Sequence, residues 1–591
     1  MAERPGYCIP RRCGLCRFIL DDGDTIVVVG RNGMVVSQEH PFRTVMDEDD
    51  MFCVKCGDGC PHDGEQAAGC HPGCLALVPS ESRSAFIKAT SYRYQPPPAE
   101  DERRTRWLRL TWSSILRETY RLPPELCYHI AQYCLRPFAV LRAVALWESS
   151  RAPSRISFST KVWARYTLFE GVRYISFLTN KQPTEHDPKV KLVFEPMSGP
   201  TDTTIFLGED HLGVRELLSA SSSETPTIKE RPNIWWRSVA IPSSDPELES
   251  LVDGIKLRTL TREAESPTVL WPLPQRSTKE IRLVGLERRD ENPDLIRMSA
   301  FKCNDPAIIG YSVCHFHRFL SIHAHIAGED TKFVYQSKPS IYAVWQYMPV
   351  DRDEAVVEIW KHYDHVSRKT SLMFKTDKGR ITLMGAWPSS LGSNWTLLDR
   401  PSKQPSRIFY DTYSAGIRLL GFAAPPPTPD SQRPELPTPL STSPSFSQED
   451  YYYTSAALDG ITAVTPSLQQ IGGTSVITGL LLHRSNEHTS CVGQIRLDSL
   501  GCPLEVGTSQ RLWLGFLSTT MGGYCMTRAA TSRPTDIRAL TWLALPFSGL
   551  LEWWFSYRQC RIHHEGQASP ETCRVPAGQY RRWLEQREHR P

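Results

Sequence analysis

The spacing of apolar residues divides the chain into a short helical part followed by a long β part. Apolar side chains recur at helical spacing from Trp107 to Tyr120, and an i, i+4 stripe beginning at Leu122 predicts a second helix that ends at Pro137. From about residue 155 the period changes to two, as in residues 172–178. Alternation of this kind predicts strands with one buried face.

Strand-like runs continue to about residue 565 and make up most of the chain. Residues 423–450 interrupt them and are rich in proline, serine and threonine, a composition that predicts a disordered insertion. The predicted divisions are a zinc-binding module at 1–80, a linker at 81–105, a helical segment at 106–150, a mixed α/β region at 151–270, a β-rich region at 271–422, the insertion at 423–450, a continuing β-rich region at 451–565 and a basic tail at 566–591. The expected fold class is multidomain α+β, with a predominantly antiparallel C-terminal region of the β-prism, sandwich or propeller kind.

The composition is that of an ordinary globular chain. Of its 591 residues 23% are charged and 40% are hydrophobic, and the net charge is +3. A net charge this small gives no sign of a polyanionic partner, so we expect no nucleic acid. The longest apolar stretch, residues 539–555, contains Pro546 and Glu552 and cannot form a transmembrane helix, so we expect no membrane either.

Eight of the seventeen cysteines lie in the first 74 residues. Cys13 and Cys16 form a Cys-x2-Cys pair, and His71 and Cys74 form a His-x2-Cys pair; this spacing lets one tight turn aim two ligands at one ion. Sulfur and imidazole ligands suit zinc better than magnesium or calcium. Disulfides are the alternative, but residues 1–20 contain no signal-peptide apolar core, which favours a reducing compartment, cytoplasmic or nuclear. We predict that these four residues bind one zinc ion.

The other cysteine and histidine residues of this stretch predict a second, interleaved zinc site. Its candidate ligands are Cys53, Cys56, Cys60, His62 and Cys70. The ligand order resembles the cross-braced two-zinc modules of the plant-homeodomain-finger kind, although no final Cys-x2-Cys pair follows Cys74. A RING finger fits less well, because the gap from His62 to Cys70 is too long.

The predicted zinc module is acidic, with seven Lys or Arg against twelve Asp or Glu in residues 1–80. Contacts to nucleic-acid phosphates need clustered cations. A DNA-binding finger is therefore disfavoured, and a protein-binding surface or a purely structural module is the better interpretation.

Residues 122–147 resemble the opening of an F-box, the helical motif that docks onto the Skp1-type adaptor of a cullin ubiquitin ligase. The resemblance rests on the helix start Leu122-Pro-Pro-Glu-Leu126 and on the second helix that follows it. It implies partner-binding roles for Leu122, Pro123, Leu126 and Ile130. An F-box continues through a further helix, whereas residues 156–160 have a strand pattern, so a plain helical hairpin is the alternative.

The whole order of features resembles a group of large, poorly characterised fungal proteins with an N-terminal Cys/His module, an F-box-like helix and a long β region. The likeness is carried by Cys13, Cys16, His71, Cys74, residues 163–166, 208–213, 310–313 and 551–560. It implies the layout and no activity. Within the β half, residues 358–385 and 459–493 are also similar to the strand-turn-strand unit of jacalin-like lectins.

Motifs of common enzyme families are missing, including the P-loop, Gly-x-Gly-x-x-Gly, His-Glu-x-x-His and Gly-x-Ser-x-Gly. The pairs His315 with His317 and His323 with His325 have the period that places two imidazoles on one face of a strand, but no acidic third ligand is evident from sequence. We therefore expect a non-enzymatic, zinc-containing protein-interaction or scaffold protein, with an F-box-type substrate receptor as its specific form. The alternatives are a carbohydrate-binding protein acting through the β half and a histidine-metal enzyme.

Overall fold

The computed structural model shows a mostly β chain with few helices. It describes residues 6–43, 45–48, 51–55, 65–147, 154–183, 187–196, 202–221, 224–262, 268–275, 281–286, 295–336, 342–389, 395–413, 416–427, 436, 438–444, 449–471, 474–518, 523–535 and 540–572. The chain forms two compact units, Met1–Thr278 with Asn292–Met298, and Lys279–Glu291 with Ser299–Pro591.

The first unit opens with short strands and then five helices. The strands are β1 (Gly6–Ile9), β2 (Thr25–Val29), β3 (His40–Pro41), β4 (Val45–Glu48), β5 (Met51–Lys55), β6 (Glu65–Gln66) and β7 (Ala68–Cys70). The helices are α1 (Pro72–Leu75), α2 (Arg83–Thr90), α3 (Pro98–Tyr120), α4 (Pro124–Tyr133) and α5 (Leu135–Leu146), with a 3-10 turn at Ser80–Ser82. Strand β2 is rich in β-branched residues, which favour extended backbone, and it pairs antiparallel with β3 and β7.

Helices occupy much of the segment 81–105 that the sequence predicts to be a linker, so that prediction is wrong for residues 83–90 and 98–105. Pro98 is tolerated at the first helical position of α3, where its missing N–H needs no partner, and Glu100 and Asp101 favour the positive end of the helix dipole. Arg104 then anchors the helix, because its buried guanidinium binds both carboxylate oxygens of Glu170 at 2.6 Å.

Pro137 does not end a helix, contrary to the sequence prediction. It lies in the first turn of α5, where a proline is tolerated, and α4 ends at Tyr133. The inward side of α4 also differs from the predicted apolar stripe. Cys127 and Ala131 are buried against Leu116 of α3, and the larger apolar residues of α4 point elsewhere.

The rest of the first unit is built of strands. They are β8 (Ser154–Ser157), β9 (Val162–Phe169), β10 (Val172–Thr179), β11 (Val190–Phe194), β12 (Thr203–Glu209), β13 (Val214–Ser221), β14 (Trp235–Ile241), β15 (Glu247–Val252), β16 (Leu257–Thr261) and β17 (Thr268–Leu270). Three three-stranded sheets have the orders β10-β9-β11, β13-β12-β14 and β16-β15-β8. The mixed α/β character predicted for 151–270 is wrong for the described residues of that region, which contain no helix. Period-two burial, as in β9, explains why.

The second unit is also mainly β. Strand β19 (Leu295–Cys303) begins in the first unit and ends in this one. The other strands are β18 (Arg282–Gly285), β20 (Ile308–Phe316), β21 (Arg318–Ile326), β22 (Val344–Pro349), β23 (Val356–Asp364), β24 (Lys369–Thr376), β25 (Ile381–Met384), β26 (Trp395–Asp399), β27 (Ser406–Asp411), β28 (Leu419–Phe422), β29 (Tyr452–Ala457), β30 (Ile461–Ile471), β31 (Thr474–Arg484), β32 (Thr489–Gly493), β33 (Leu504–Glu505), β34 (Arg511–Ser518), β35 (Tyr524–Ala530), β36 (Thr541–Pro546), β37 (Leu550–Phe555), β38 (Cys560–His564) and β39 (Gln567–Ala568). One short helix, α6 (Lys332–Gln336), and a 3-10 turn at Leu497–Ser499 complete the described elements.

Small antiparallel sheets of neighbouring strands recur through this unit. Their orders are β21-β20-β22, β25-β24-β23-β26, β32-β31-β30-β33, β35-β34-β36 and β29-β37-β38-β39. The turn at Asp377-Lys-Gly379 joins β24 to β25, which pair antiparallel. The β-rich, antiparallel character expected of the C-terminal half is therefore confirmed.

Part of the segment 423–450, which the sequence predicts to be disordered, makes specific contacts. The Leu440 N–H donates to Glu552 Oε1 at 2.7 Å, and Trp554 Nε1 donates to Ser441 Oγ at 2.9 Å. Both partners belong to β37, and Leu436 is buried. The prediction of disorder is corrected at these residues, because Glu552 and Trp554 of β37 bind Leu440 and Ser441, and Leu436 packs against Trp360, Met373 and Leu383.

Among the helices of the described ranges, none has the length and apolar character needed to cross a bilayer.

Candidate metal centre

The first pair of predicted ligands lies on a tight knuckle between β1 and β2. The Cys13 N–H donates to the carbonyl of Phe18 at 3.0 Å, and the Arg17 N–H donates back to the carbonyl of Cys13 at 3.1 Å. Arg17 adopts a left-handed conformation with φ of 64°, which closes the turn. Cys13 and Cys16 consequently lie on one short loop and both thiols point inward, where they are fully buried.

Gly14 lets this knuckle approach strand β7 closely. Its N–H donates to the carbonyl of Gly69 at 2.9 Å. A Cβ atom at position 14 would lie 2.7 Å from Ala68 Cβ and 3.0 Å from Cys70 Sγ. Only glycine fits without displacing β7, which explains a glycine between the two cysteines in steric terms.

The second pair of ligands is placed by the single helical turn α1. His71 lies just before α1, Pro72 occupies its first position, and the Cys74 N–H donates to the carbonyl of His71 at 3.0 Å. Side chains three residues apart in such a turn lie on the same side. The imidazole of His71 and the thiol of Cys74 therefore face the knuckle together.

The four predicted ligands meet in one buried cluster. One ligand atom each from Cys13, Cys16, His71 and Cys74 lies within 4.8 Å of all the others. His71 Nδ1 is 3.5 Å from Cys16 Sγ and 3.8 Å from Cys74 Sγ. Three thiols and an imidazole at these separations can hold a tetrahedral metal ion. The structure thus brings together the set that the sequence assigned to the first site.

The pKa values of the buried cysteines shift in opposite directions when no ion is bound. Burial alone raises the pKa of Cys13, but hydrogen bonds from Cys16, Cys70, Cys74 and His71 outweigh burial and bring the pKa well below its ordinary value. The hydrogen bond with Cys13, together with burial, raises the pKa of Cys16 to about 12. The pKa values of Cys70 and Cys74 are raised for the same reasons. A bound cation would lower the pKa of every thiol that it contacts, so that all of its cysteine ligands bind as thiolates.

Residues around the cluster hold two of its ligands in place. Arg104 Nη2 donates to the carbonyl of Cys16 at 2.7 Å and is itself fixed by Glu170. Asp24 Oδ2 is 3.6 Å from His71 Nε2, on the side of the ring away from the thiols. A carboxylate behind a histidine is the usual means of orienting a ligating imidazole. Arg136 pairs with the same carboxylate at 3.3 Å.

Arg17 supplies a positive charge beside the thiols. Its guanidinium donates to the carbonyl of Ile87 at 2.7 Å. Burial lowers the pKa of Arg17 to about 10, an effect that its attraction to Tyr92, Cys13, Cys70 and Cys16 opposes. Arg17 therefore remains a cation at neutral pH and offsets the negative charge that three thiolates bring to a metal centre.

Cys70, a candidate ligand of the predicted second site, lies instead beside the first cluster. It ends β7, is fully buried and hydrogen-bonds with Cys13. Cys56, Cys60 and His62 lie outside the described residues, as does the side chain of Cys53 in β5. The second zinc site stays a prediction.

The predicted partner-binding residues lie at the start of α4 and along its outer face. Leu126 is 51% exposed and Ile130 is 39% exposed, while Pro123 is exposed and Leu122 is partly buried. Tyr128 and Tyr133 of the same helix are also exposed. The structure therefore turns most of the predicted stripe away from the core of the helical hairpin.

The four histidines singled out in the sequence of the β half, residues 315, 317, 323 and 325, do not form one site. The ring of His315 hydrogen-bonds with the Tyr452 hydroxyl at 2.7 Å, and His317, at the hairpin turn with φ of 55°, pairs with Asp450 at 3.3 Å. His323 and His325 instead converge on Glu329. Sequence reasoning missed this carboxylate; the signal was the Ala327-Gly328 turn, which returns the chain beside the strand that carries both histidines.

No protein-family model matches this chain, and no curated protein matches it. The chain is mostly β, and its N-terminal part encloses a Cys3His cluster that could hold a metal ion.

Proposed function

We propose that this chain is a non-enzymatic protein-interaction or scaffold protein, whose docking element is the outer face of α4. The observation that carries the proposal is the exposure of Leu126 and Ile130. A helix in a hairpin normally turns its largest apolar side chains inward, and here the small Cys127 and Ala131 occupy that position. Exposed apolar side chains grouped on one face mark protein-binding surfaces.

A Skp1-type adaptor is the proposed occupant of this face. The exposed residues are the ones that the resemblance to an F-box assigns to adaptor binding, namely Pro123, Leu126 and Ile130. The chain would then act as the substrate receptor of a cullin ubiquitin ligase, with other surfaces presented to a target. The finer expectation that the β half is of the prism, sandwich or propeller kind belongs to this proposal and is supported by its repeated small sheets.

Zinc is the proposed ion of the Cys3His cluster. Thiolate and imidazole ligands in a four-ligand set suit it, and a closed set of four protein ligands is typical of a structural site. In this interpretation the ion stabilises the N-terminal part of the chain and takes no part in chemistry.

The test is binding of the purified full chain to a Skp1-type adaptor by surface plasmon resonance. Leu126→Ala should abolish measurable binding, while the melting temperature should change little, because the side chain is already half exposed. Leu168→Ala is the matched control, since Leu168 is 54% exposed on β9 and belongs to a different surface element. If the wild type does not bind the adaptor, the adaptor is excluded as the partner. If binding survives Leu126→Ala, the outer face of α4 is excluded as the binding site.

A sugar-binding function has one observation in its favour. A cleft of about 690 Å³ in the second unit is lined by Trp387, Tyr451 and Trp554 together with Ser441 and Glu449. Aromatic rings beside hydroxyl and carboxylate groups are a suitable lining for a polar ligand with apolar faces. Titration with a glycan library should then show binding that Trp387→Ala removes; if no glycan binds the wild type, this candidate is excluded.

A further inference from the structure

A second group of metal-ligand side chains lies on the hairpin formed by β20 and β21. His323 and His325 are two residues apart on β21, so their rings share one face, with centroids 4.7 Å apart. The turn that follows brings Glu329 back to both rings, since its N–H donates to the carbonyl of Ile326 at 3.3 Å. Gly328 makes this turn possible with φ of 80°.

All three side chains converge on one point. Glu329 Oε1 is 3.1 Å from His323 Nε2 and also contacts His325 Nδ1. The three ligand atoms lie within 4.8 Å of one another. Two imidazoles and a carboxylate in this arrangement are the ligand set of open transition-metal sites.

Further polar groups fix the buried histidine from behind. His325 is completely buried, and its other ring nitrogen, Nε2, hydrogen-bonds with Ser312 Oγ at 2.8 Å. Ser312 Oγ in turn hydrogen-bonds with the Tyr335 hydroxyl at 3.0 Å, and the Tyr335 ring stacks on His325. The hydroxyl of Ser312 can accept a hydrogen bond from Nε2–H, which leaves Nδ1 unprotonated and its lone pair available to a cation held between it and Glu329. Support of this kind on the far nitrogen is characteristic of ligating histidines.

The charges of the cluster also suit a cation. Both imidazoles contact the same carboxylate oxygen of Glu329, and two protonated rings this close would repel each other. A single divalent ion can satisfy both ring nitrogens and the carboxylate at once, with both rings neutral. The nearby Arg496 does not oppose such an ion with an unpaired charge, because it is paired with Asp498 at 2.8 Å.

We propose that His323, His325 and Glu329 form a metal-binding site for a divalent transition-metal ion of the Zn²⁺ class. Nitrogen and oxygen donors distinguish it from the thiol-rich cluster of the first unit. Three protein ligands leave a tetrahedral ion one position for water or a substrate oxygen. His323, which is partly exposed, gives the site its solvent-facing side. The proposal is independent of adaptor binding at α4.

The test compares metal content between the wild-type full chain and ligand variants. Each protein is equilibrated with Zn²⁺, desalted and analysed by inductively coupled plasma mass spectrometry, and Zn²⁺ affinity is measured by isothermal titration calorimetry. His323→Ala and Glu329→Gln should each lower the zinc content by one equivalent, whatever number the N-terminal cysteines hold. Ser312→Ala should weaken the same binding event by about 10–100-fold, as loss of an outer partner does.

His317→Ala is the matched control, because this histidine belongs to the same hairpin and pairs with Asp450. It should retain the full zinc content. Equal zinc content in the wild type, His323→Ala and Glu329→Gln would overturn the proposal and leave a histidine–glutamate ion pair only. Loss of the same equivalent in His317→Ala would overturn it too. His323 is only partly buried, so His323→Ala tests the site without a large packing defect.

Discussion

The Cys3His cluster of the first unit and the His2Glu cluster of the second unit are built in opposite ways. Cys13 and Cys74 are separated by most of the N-terminal part of the chain, whereas His323 and Glu329 are neighbours in sequence. All four residues of the first cluster are buried, and its cysteines belong to the apolar core of the first unit. In the second cluster His325 is buried, while His323 and Glu329 are partly exposed. A cluster assembled from distant residues can exist only when the surrounding fold exists. A cluster carried by one hairpin adds a site to a fold that other contacts hold.

The largest expected difference between the clusters is in folding. Cys13→Ser should lower zinc content by one equivalent and unfold the N-terminal part of the first unit, because metal binding and folding are coupled in a closed site. Hydrogen–deuterium exchange should show loss of protection in residues 6–43 and 65–90, with protection of the second unit unchanged. Cys502→Ser, at an exposed cysteine, is the control. A folded, zinc-free Cys13→Ser protein would contradict the comparison.

Replacing Arg104 tests how much the residues around the first cluster contribute to the stability of the first unit. Arg104→Ala leaves Glu170 buried without its partner and removes the donor to the Cys16 carbonyl. We expect a loss of about 3–5 kcal/mol in the free energy of unfolding of the first unit, measured by urea denaturation. The double variant Arg104→Met with Glu170→Leu should lose clearly less, since no charge is then left buried. An equal loss in both would show that charge pairing is not the cause.

Two glycines of the first cluster, Gly14 in the knuckle and Gly73 in α1, test how closely each ligand pair is packed. Gly14→Ala should destabilise the first unit by about 1–3 kcal/mol, because the new methyl group meets Ala68 and Cys70. Gly73→Ala has nothing within 4 Å and should be neutral or stabilising by up to about 1 kcal/mol. Thermal melts of the zinc-loaded proteins measure both. A Gly73→Ala variant as damaged as Gly14→Ala would mean that close packing does not distinguish the two ligand pairs.

The smallest effect on stability is expected at the second cluster. Glu329→Gln should change the free energy of unfolding by less than about 1 kcal/mol, since partly exposed ion pairs contribute little. Equilibrium denaturation in the presence of a chelator measures this contribution without bound metal. A loss of unfolding free energy as large as that of Arg104→Ala would mean that the second cluster stabilises its fold as strongly as the first cluster does.

The first cluster could be predicted from the sequence because its ligands are chemically distinctive and occur at fixed spacing. Cys13 and Cys16, with His71 and Cys74, needed no knowledge of the fold. Their supports could not be predicted, since Arg104 reaches Cys16 from a helix whose beginning has the composition of a linker. Neighbouring prolines and the lack of an apolar period in residues 98–105 hid the start of this helix, although Glu and Arg are good helix formers and Pro98 is tolerated at its first position.

The sequence did not predict Glu329 as part of the second cluster, and it placed the end of α4 wrongly, for different reasons. Glu329 is an ordinary acidic residue, and only the turn at Gly328 gives it a role beside His323 and His325. The position of Pro137 was compatible with the end of one helix or the first turn of the next, and side-chain packing of α5 decided between them. Strands with one buried face, such as β15, follow period-two alternation, whereas strands such as β22 and β37 are buried almost continuously and show no such period.

The length of α3 has a mechanical consequence. Its 23 residues form a rod of roughly 35 Å, with Arg104 fastened to the Cys16 loop near one end and Leu116 packed on α4 near the other. No joint interrupts the rod between these two fastenings. Between these two ends, Leu108 lies in the apolar core and Trp112 packs on Phe138 of α5, so a tilt of α3 would reach α4 through these contacts. Under the proposed function, the direction in which α4 presents an adaptor would therefore depend on the Cys3His cluster at the far end of α3.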